Sequence, residues 1–236
     1  MLRLTDEELD RFAERLRAAD VRVSAIGSPI GKVGVRDDFG AHLEDFARAI
    51  AVARRLGTGY IRVFSFFIPE GDDPAAHRDE ALARMKELAA RAEAAGVTLL
   101  HENERRIYGD VPERCADILE TCASPALKAA FDPANFVQCG VRPFARAWPL
   151  LAPHVEYAHI KDARFADGSV TPAGQGDAEV PALLAALRDR GYAGFLSLEP
   201  HLASGGMYSG FSGPGLFKTA VRALKSLLAE AGIAYH

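Results

Sequence analysis

The stretch Val97-Thr98-Leu99-Leu100-His101-Glu102 decides the fold. It is a short apolar run that ends in an acid, and this pattern is typical of a buried strand. The residues before it, from about Pro74 to Ala95, carry apolar side chains at helical spacing and stop at Gly96. A polar loop and a second helical pattern, from about Val111 to Cys122, follow it. Helix, strand and helix in this order predict one unit of a parallel α/β fold.

The same unit recurs in both directions along the chain. The predicted strands are Val21–Ile26, Tyr60–Ser65, Val97–His101, Leu127–Phe131, Val155–Ile160 and Phe195–Leu198. The other predicted helices begin at a capping box of Thr5 and Glu8, near Leu43, near Pro143, at Val180 and at Leu216. Repeats of this kind are compatible with a TIM (β/α) barrel. We therefore expect an α/β fold, a single (β/α) barrel domain over residues 1–236, with fewer strands than a complete barrel.

The composition argues against several classes of protein. The chain has 28 basic and 32 acidic residues and a formal net charge of −4, whereas domains that bind nucleic acids are usually basic. No apolar run approaches the roughly 20 residues that span a bilayer, and residues 1–10 do not resemble a signal peptide. The three cysteines are odd in number and form no C-x-x-C pair. We therefore expect a cytoplasmic protein that binds neither nucleic acid nor membrane.

Residues with metal-ligating side chains lie at the ends of four successive predicted strands. They are Glu102, Asp132, His159 and Glu199. Their separations of 30, 27 and 40 residues each correspond to one strand–helix unit. The carboxyl ends of parallel strands meet at one edge of the sheet, which is where such folds bind ligands. We therefore expect these four side chains to lie together.

The alternation of side chains along the strands supports this arrangement. If Glu199 faces the inside of a barrel, Leu196 and Leu198 face outward, where apolar side chains meet the helices. The strands that end at the aspartate and the histidine follow the same register. On the remaining strand, an inward Glu102 places His101 outward, which is tolerable at the end of a strand.

Each of these residues alone also has a structural explanation. An acid after a strand often caps the next helix, and a single histidine is more often a half-buried side chain than a ligand. Three carboxylates that converge without a cation, however, would have raised pKa values and would destabilise the fold. Three carboxylates and one imidazole form an oxygen-rich donor set that suits Mn²⁺, Mg²⁺ or Zn²⁺. We expect one divalent metal ion, with Mn²⁺ first and Mg²⁺ or Zn²⁺ as the alternatives.

Four motifs around these residues resemble a known superfamily. They are His101-Glu102-Asn103-Glu104, Phe131-Asp132-Pro133-Ala134-Asn135-Phe136, His159-Ile160-Lys161-Asp162 and Leu198-Glu199-Pro200-His201. With them, the chain from about Leu4 to its end resembles the xylose isomerase-like TIM-barrel superfamily, in its sugar phosphate isomerase/epimerase branch. In ketose 3-epimerases of that branch, Glu, Asp, His and Glu hold one divalent ion. These ligands correspond here to Glu102, Asp132, His159 and Glu199. The resemblance also implies a barrel that lacks its first two strands and is short at its N-terminus.

The resemblance implies a reaction as well. It points to a metal-dependent sugar or sugar-phosphate isomerase or epimerase that removes a proton next to a carbonyl group through an enediolate. Glu102 and Glu199 are the expected catalytic residues. Two glutamates acting in turn permit epimerisation, and one glutamate acting twice gives isomerisation. An inosose dehydratase-like lyase with the same metal site is one alternative, and a non-catalytic degenerate barrel is another.

Five further residues are predicted to contact the substrate. They are Lys161, His201, Asn135, Asn103 and Arg62. Lys161 has the alternative of a solvated loop lysine, and Arg62 has the alternative of pairing with a neighbouring acid, which we favour. Asn135 falls where the ketose epimerases carry a substrate-contacting histidine, and the extra histidines of the superfamily's apurinic endonucleases are absent. The expected partner is a small sugar or sugar phosphate, and a homo-oligomer stays open.

Overall fold

The computed structural model describes residues 2–203 and 211–235. Its helices are α1 Asp6–Ala18, α2 Phe39–Leu56, α3 Arg78–Ala95, α4 Pro112–Cys122, α5 Pro133–Gln138, α6 Trp148–Leu151, α7 Val180–Asp189 and α8 Gly213–Glu230. Its strands are β1 Ile26–Gly27, β2 Tyr60–Val63, β3 Thr98–Glu102, β4 Leu127–Phe131, β5 Val155–Ile160, β6 Asp162–Ala163, β7 Val170–Thr171 and β8 Leu196–Leu198. No helix within these two ranges is long and apolar enough to cross a membrane.

Six of the strands form one sheet, in the order β1-β2-β3-β4-β5-β8. The pairs β1–β2, β2–β3 and β5–β8 are parallel, and β6 and β7 form a separate antiparallel pair. Helices follow most of the strands, as they do in a (β/α) barrel. The predicted α/β fold is therefore confirmed, with the strand number of a TIM barrel that lacks some of its strands.

The observed bounds agree best with the predicted bounds in the middle of the chain. Strands β4 and β5 have the predicted limits of Leu127–Phe131 and Val155–Ile160. The predicted strand Val21–Ile26 is wrong for most of its length, because only Ile26 and Gly27 pair with β2. Helix α5 and the β6–β7 pair were not predicted, and both are too short to show a clear periodicity.

Contacts within the chain divide it into two compact units. Unit 1 comprises Met1–Glu102, Arg106–Gly109 and Asp117–Ala129. Unit 2 comprises Asn103–Arg105, Asp110–Ala116 and Ala130–His236. A single barrel domain over residues 1–236 therefore stays a prediction.

In unit 1, helix α1 begins with the predicted capping box. The Thr5 hydroxyl accepts a hydrogen bond from the Glu8 N–H, and the Glu8 carboxylate accepts one from the Thr5 N–H. This exchange satisfies N–H groups that a helix N-terminus leaves without partners. Helix α1 packs on α2 and buries Leu9, so the cap fixes where the apolar face of α1 begins.

The loop after β1 lies along the end of β2 in unit 1. The Phe64 N–H donates to the Ile30 carbonyl at 2.8 Å, and the Gly31 N–H donates to Nε2 of His42 at 2.8 Å. Gly31 has a φ of +84°, and a Cβ atom there would lie 2.0 Å from the Phe64 carbonyl oxygen. The approach of the two backbones therefore requires glycine at this position.

In unit 2, apolar side chains from α5, β5, α7 and α8 form a core, with Val137, Ile160, Leu184 and Leu228 among them. Asp162, in β6, comes after the single residue that follows β5 and is fully buried. Its carboxylate accepts hydrogen bonds from four backbone N–H groups, three of which belong to the loop after β7. The loop is thus tied to the end of β5, where the predicted site residues are found.

Candidate metal centre

Unit 2 brings together three of the four predicted metal ligands. Asp132 follows β4, His159 lies near the end of β5, and Glu199 follows β8. The His159 Nδ1 atom is 3.8 Å from Asp132 Oδ2 and 3.7 Å from Glu199 Oε2. Asp132 is fully buried, and the Glu199 side chain is 24% exposed. The geometry is therefore that of donors converging at the carboxyl ends of parallel strands.

The two carboxylate oxygens of Asp132 have different partners. Oδ1 caps helix α5 by accepting a hydrogen bond from the Asn135 N–H at 2.9 Å. Oδ2 faces His159 and Lys161 instead. Capping and ligation were alternatives when only the residue type was known. In the structure, Oδ1 caps the helix, and Oδ2 is left for a second role beside His159.

Lys161 is a buried cation beside the carboxylates of Asp132 and Glu199. Its Nζ atom donates to Asn135 Oδ1 at 2.9 Å and lies 3.4 Å from Asp132 Oδ2 and 3.7 Å from Glu199 Oε2. Only 6% of its side chain is exposed, so the alternative of a solvated loop lysine is wrong. A buried ammonium group needs such partners, because removing it from water is costly.

In unit 1, Glu102 ends β3 and is also buried. Its Oε2 atom is 3.2 Å from Nη1 of Arg62, so Arg62 pairs with a neighbouring acid, as we favoured. The guanidinium group lies over the ring of Phe64 at 4.9 Å and passes Gly27, where a Cβ atom would be 3.9 Å from Nη2. This packing holds the arginine beside the carboxylate.

His101, next to Glu102 in β3, is buried. Its Nε2 atom is 3.0 Å from the Ser65 hydroxyl, which also accepts from the Gly109 N–H. Burial lowers the pKa of His101 to about 4. The neutral imidazole thus links β3 to the segment after β2, a role that the residue pattern did not reveal.

Within unit 2, one ligand atom each of Asp132, His159 and Glu199 lies within 4.8 Å of the other two. Two carboxylates and an imidazole at this separation form a mixed oxygen and nitrogen donor set that fits a divalent cation such as Mn²⁺, Mg²⁺ or Zn²⁺. The chemistry of these three side chains is therefore that of a possible metal-binding group.

Comparison with known proteins agrees with this geometry. A family described as xylose isomerase-like TIM barrel matches residues 1–227. The chain belongs to this family. No curated protein matches the chain.

Several solved structures share the fold of this chain. The IOLI protein with a bound zinc atom has 17% identity and a TM-score of 0.79, covering 96% of this chain and 83% of that one. An L-ribulose 3-epimerase has 20% identity and a TM-score of 0.75, covering 97% and 83%. A probable 3-DHS dehydratase, AsbF of Bacillus anthracis, has 18% identity and a TM-score of 0.74, covering 93% and 82%. At these identities the likeness is one of fold.

Two of the predicted substrate contacts in this xylose isomerase-like barrel hold the backbone instead of facing open space. The Asn103 side chain donates to the Asp132 carbonyl at 2.9 Å and accepts from the Asp132 N–H at 3.0 Å. Asn135 donates to the Asn103 carbonyl at 2.9 Å. His201 packs edge-on against Phe211 at 5.7 Å and lines a cavity with Glu199. Sequence spacing placed these residues near the site but did not identify their partners.

Proposed function

We propose that this protein is a divalent-metal-dependent isomerase or epimerase of a small sugar or sugar phosphate. The observation that carries the proposal is the convergence of Asp132, His159 and Glu199 in unit 2, whose ligand atoms lie within 4.8 Å of one another. The fold shared with an L-ribulose 3-epimerase supports the reaction class. The proposed ligands are these three residues and Glu102, and Mn²⁺ is the proposed metal, with Mg²⁺ and Zn²⁺ as alternatives.

The difficulty in such a reaction is the high pKa of a hydrogen on carbon. When bound, the divalent ion supplies a Lewis acid that polarises the substrate carbonyl group. In the proposal, the Glu199 carboxylate removes the proton next to the carbonyl, and Glu102, in its protonated form, returns a proton to the opposite face of the resulting enediolate in an epimerase. Exchange of protons with solvent then restores the two glutamates for the next turnover. In an isomerase, one glutamate performs both transfers.

Lys161 has a proposed part in the same step. Its ammonium group is 3.7 Å from Glu199 Oε2, close enough to hold that carboxylate in place. It is also the buried donor proposed to hydrogen-bond a substrate oxygen on which negative charge develops. Arg62 holds Glu102 at 3.2 Å, so each proposed catalytic glutamate has its own cation. Asn103 and Asn135 are proposed to affect substrate binding through Asp132 and Lys161, to which they are hydrogen-bonded. His201 stays a proposed substrate contact.

The test combines metal content with solvent exchange. The metal-loaded protein is incubated in D₂O with a panel of ketoses, aldoses and their phosphates, and deuterium on carbon is measured by mass spectrometry. We expect E199Q to lower the exchange rate by about 100-fold or more, since general base catalysis contributes at least that much. The matched control is E120Q, since Glu120 is an exposed glutamate on α4, and this variant should incorporate deuterium at the wild-type rate. A near-normal rate in E199Q contradicts the role of Glu199, and no exchange into any sugar by the wild type contradicts the function.

A lyase is the second candidate, because a probable 3-DHS dehydratase shares the fold. Proton removal next to a carbonyl is common to both reactions, and only the fate of the enolate differs. The same incubations distinguish them, since a dehydratase product lacks the mass of one water. A protein that binds the metal but neither exchanges nor dehydrates any sugar corresponds to the degenerate barrel. The cytoplasmic location and a homo-oligomeric state stay predictions.

A further inference from the structure

The Asn135 side chain forms hydrogen bonds inside unit 2. Only 4% of Asn135 is exposed. Its Nδ2 atom donates to the Asn103 carbonyl at 2.9 Å, and its Oδ1 atom accepts from Lys161 Nζ at 2.9 Å. One amide therefore links the segment after β3 to the ammonium group of Lys161.

At 2.9 Å, this link is shorter than the contacts of the Lys161 ammonium group with the two neighbouring carboxylates. The Nζ atom is 3.4 Å from Asp132 Oδ2 and 3.7 Å from Glu199 Oε2, distances longer than an ordinary charged hydrogen bond. A lysine side chain has four rotatable bonds and many rotamers, so charge attraction alone does not fix its end. The amide oxygen of Asn135 supplies a directed acceptor. It holds the ammonium group between the two carboxylates.

We propose that Asn135 is a positioning residue that acts through Lys161 on Glu199. By fixing the Lys161 ammonium group, it sets where the Glu199 carboxylate rests and where a donor is offered to a substrate oxygen. The proposal rests on the proposed function, in which Glu199 removes the proton. Small displacements of such groups have large effects on rate, because proton transfer requires a defined distance and angle.

A purely structural role for Asn135 is the competing explanation, in which the bond to the Asn103 carbonyl is what matters. Two substitutions separate the roles. N135L removes both the donor and the acceptor at similar volume. N135D keeps an acceptor for Lys161 but cannot donate to Asn103. The matched control is Q138L, on the same helix, whose amide donates to the Gly168 carbonyl at 3.0 Å.

The first measurement uses the metal-free protein and needs no substrate. A buried, hydrogen-bonded lysine ammonium group gives its own ¹H–¹⁵N resonance, which is assigned here by its absence in K161M. We expect this resonance in the wild type, Q138L and N135D, and its loss or broadening in N135L. If N135L keeps the wild-type resonance, Asn135 does not fix Lys161 and the proposal is overturned.

The second measurement is deuterium exchange into the sugar that the wild type turns over. We expect N135L to lower kcat by about tenfold or more with KM within about threefold, while Q138L stays near the wild type. N135D should keep at least about threefold more kcat than N135L. Equal losses in N135D and N135L favour the structural role and overturn the proposal. Mn²⁺ affinity and thermal unfolding, measured on all variants, identify any variant that has lost its metal site or its fold.

The two proposals fail separately. If the wild type exchanges no sugar, the proposed function fails, while the ammonium resonance still decides whether Asn135 fixes Lys161. If the wild type exchanges a sugar and N135L matches it in both measurements, only the positioning role fails.

Discussion

The carboxylate of Asp162 gives a stability prediction whose size follows from the structure. Oδ1 accepts from the N–H groups of Ala163 and Ala178 at 2.8 and 2.9 Å, and Oδ2 accepts from those of Gly174 and Gly176 at 2.8 and 3.0 Å. D162N replaces one oxygen by an NH₂ group, which donates and cannot accept. Two backbone N–H groups therefore lose their acceptor and face another donor.

The expected cost follows from the number of bonds lost. A hydrogen bond to a charged group contributes about 1.5–3 kcal/mol, so losing two of them costs about 3–6 kcal/mol. That is a large part of the roughly 5–15 kcal/mol by which a typical domain is stable. For a chain of this size, the melting temperature should fall by roughly 10 °C or more.

The assay is amide hydrogen exchange at Gly174, Gly176 and Ala178, with urea unfolding followed by the fluorescence of the single tryptophan, Trp148. Exchange reports opening of the loop alone as well as unfolding of the whole unit. D177N is the control, because the Asp177 carboxylate accepts one hydrogen bond, from the Phe165 N–H, in an exposed setting. Its cost should be about 1 kcal/mol or less. If the three amides are as protected in D162N as in the wild type, the reasoning about this carboxylate is refuted.

Two further predictions concern the loop after β1. Burial lowers the pKa of His42 below its ordinary value of 6.5, so the stability that the neutral ring provides is present above pH 6.5 and is lost as the pH falls through the folded-state pKa. H42Q keeps an acceptor for the Gly31 N–H, so between pH 7.5 and 5.5 its melting temperature should fall less than that of the wild type. Equal falls in the two proteins would contradict this. G31A should destabilise the protein by about 3 kcal/mol or more in urea unfolding, because its Cβ meets the Phe64 carbonyl. The control is G71A, since Gly71 has a φ of +85° but no atom within 4 Å of its Cβ position, and it should cost only about 1 kcal/mol; similar costs for both variants would show that the contact with Phe64 is unimportant.

Local sequence patterns predicted the elements that carry the site. Strands β4 and β5 have apolar runs bounded by clear turns, so the positions after them, Asp132 and the end of β5 at His159, could be assigned to one edge. The capping box of α1 was equally visible, because its two residues are three positions apart. Signals of this kind depend on neighbours in the chain, and these are what a sequence displays.

Contacts between distant residues could not be predicted in the same way. The partner of Arg62 lies 40 positions away at Glu102, and the hydroxyl that bonds His101 lies 36 positions away at Ser65. The predicted strand from Val21 pairs only at Ile26 and Gly27, because pairing depends on what a neighbouring strand presents and not on the apolar run itself. Sequence patterns therefore indicated which residues are near the site, and only the structure identified their partners.

The contacts of the carboxylates also change the argument for a metal ion. From the sequence, three converging carboxylates required a cation to offset their charge. The structure supplies two from the chain itself, with Arg62 beside Glu102 and Lys161 beside Asp132 and Glu199. Charge compensation alone is therefore a weaker reason for a metal than the sequence suggested. The stronger reason is geometric. One oxygen of Asp132 caps α5, and the other lies near the His159 imidazole nitrogen, which is also near the Glu199 carboxylate. A helix cap and a salt bridge do not need a histidine at that point, whereas a divalent ion with mixed oxygen and nitrogen ligands does.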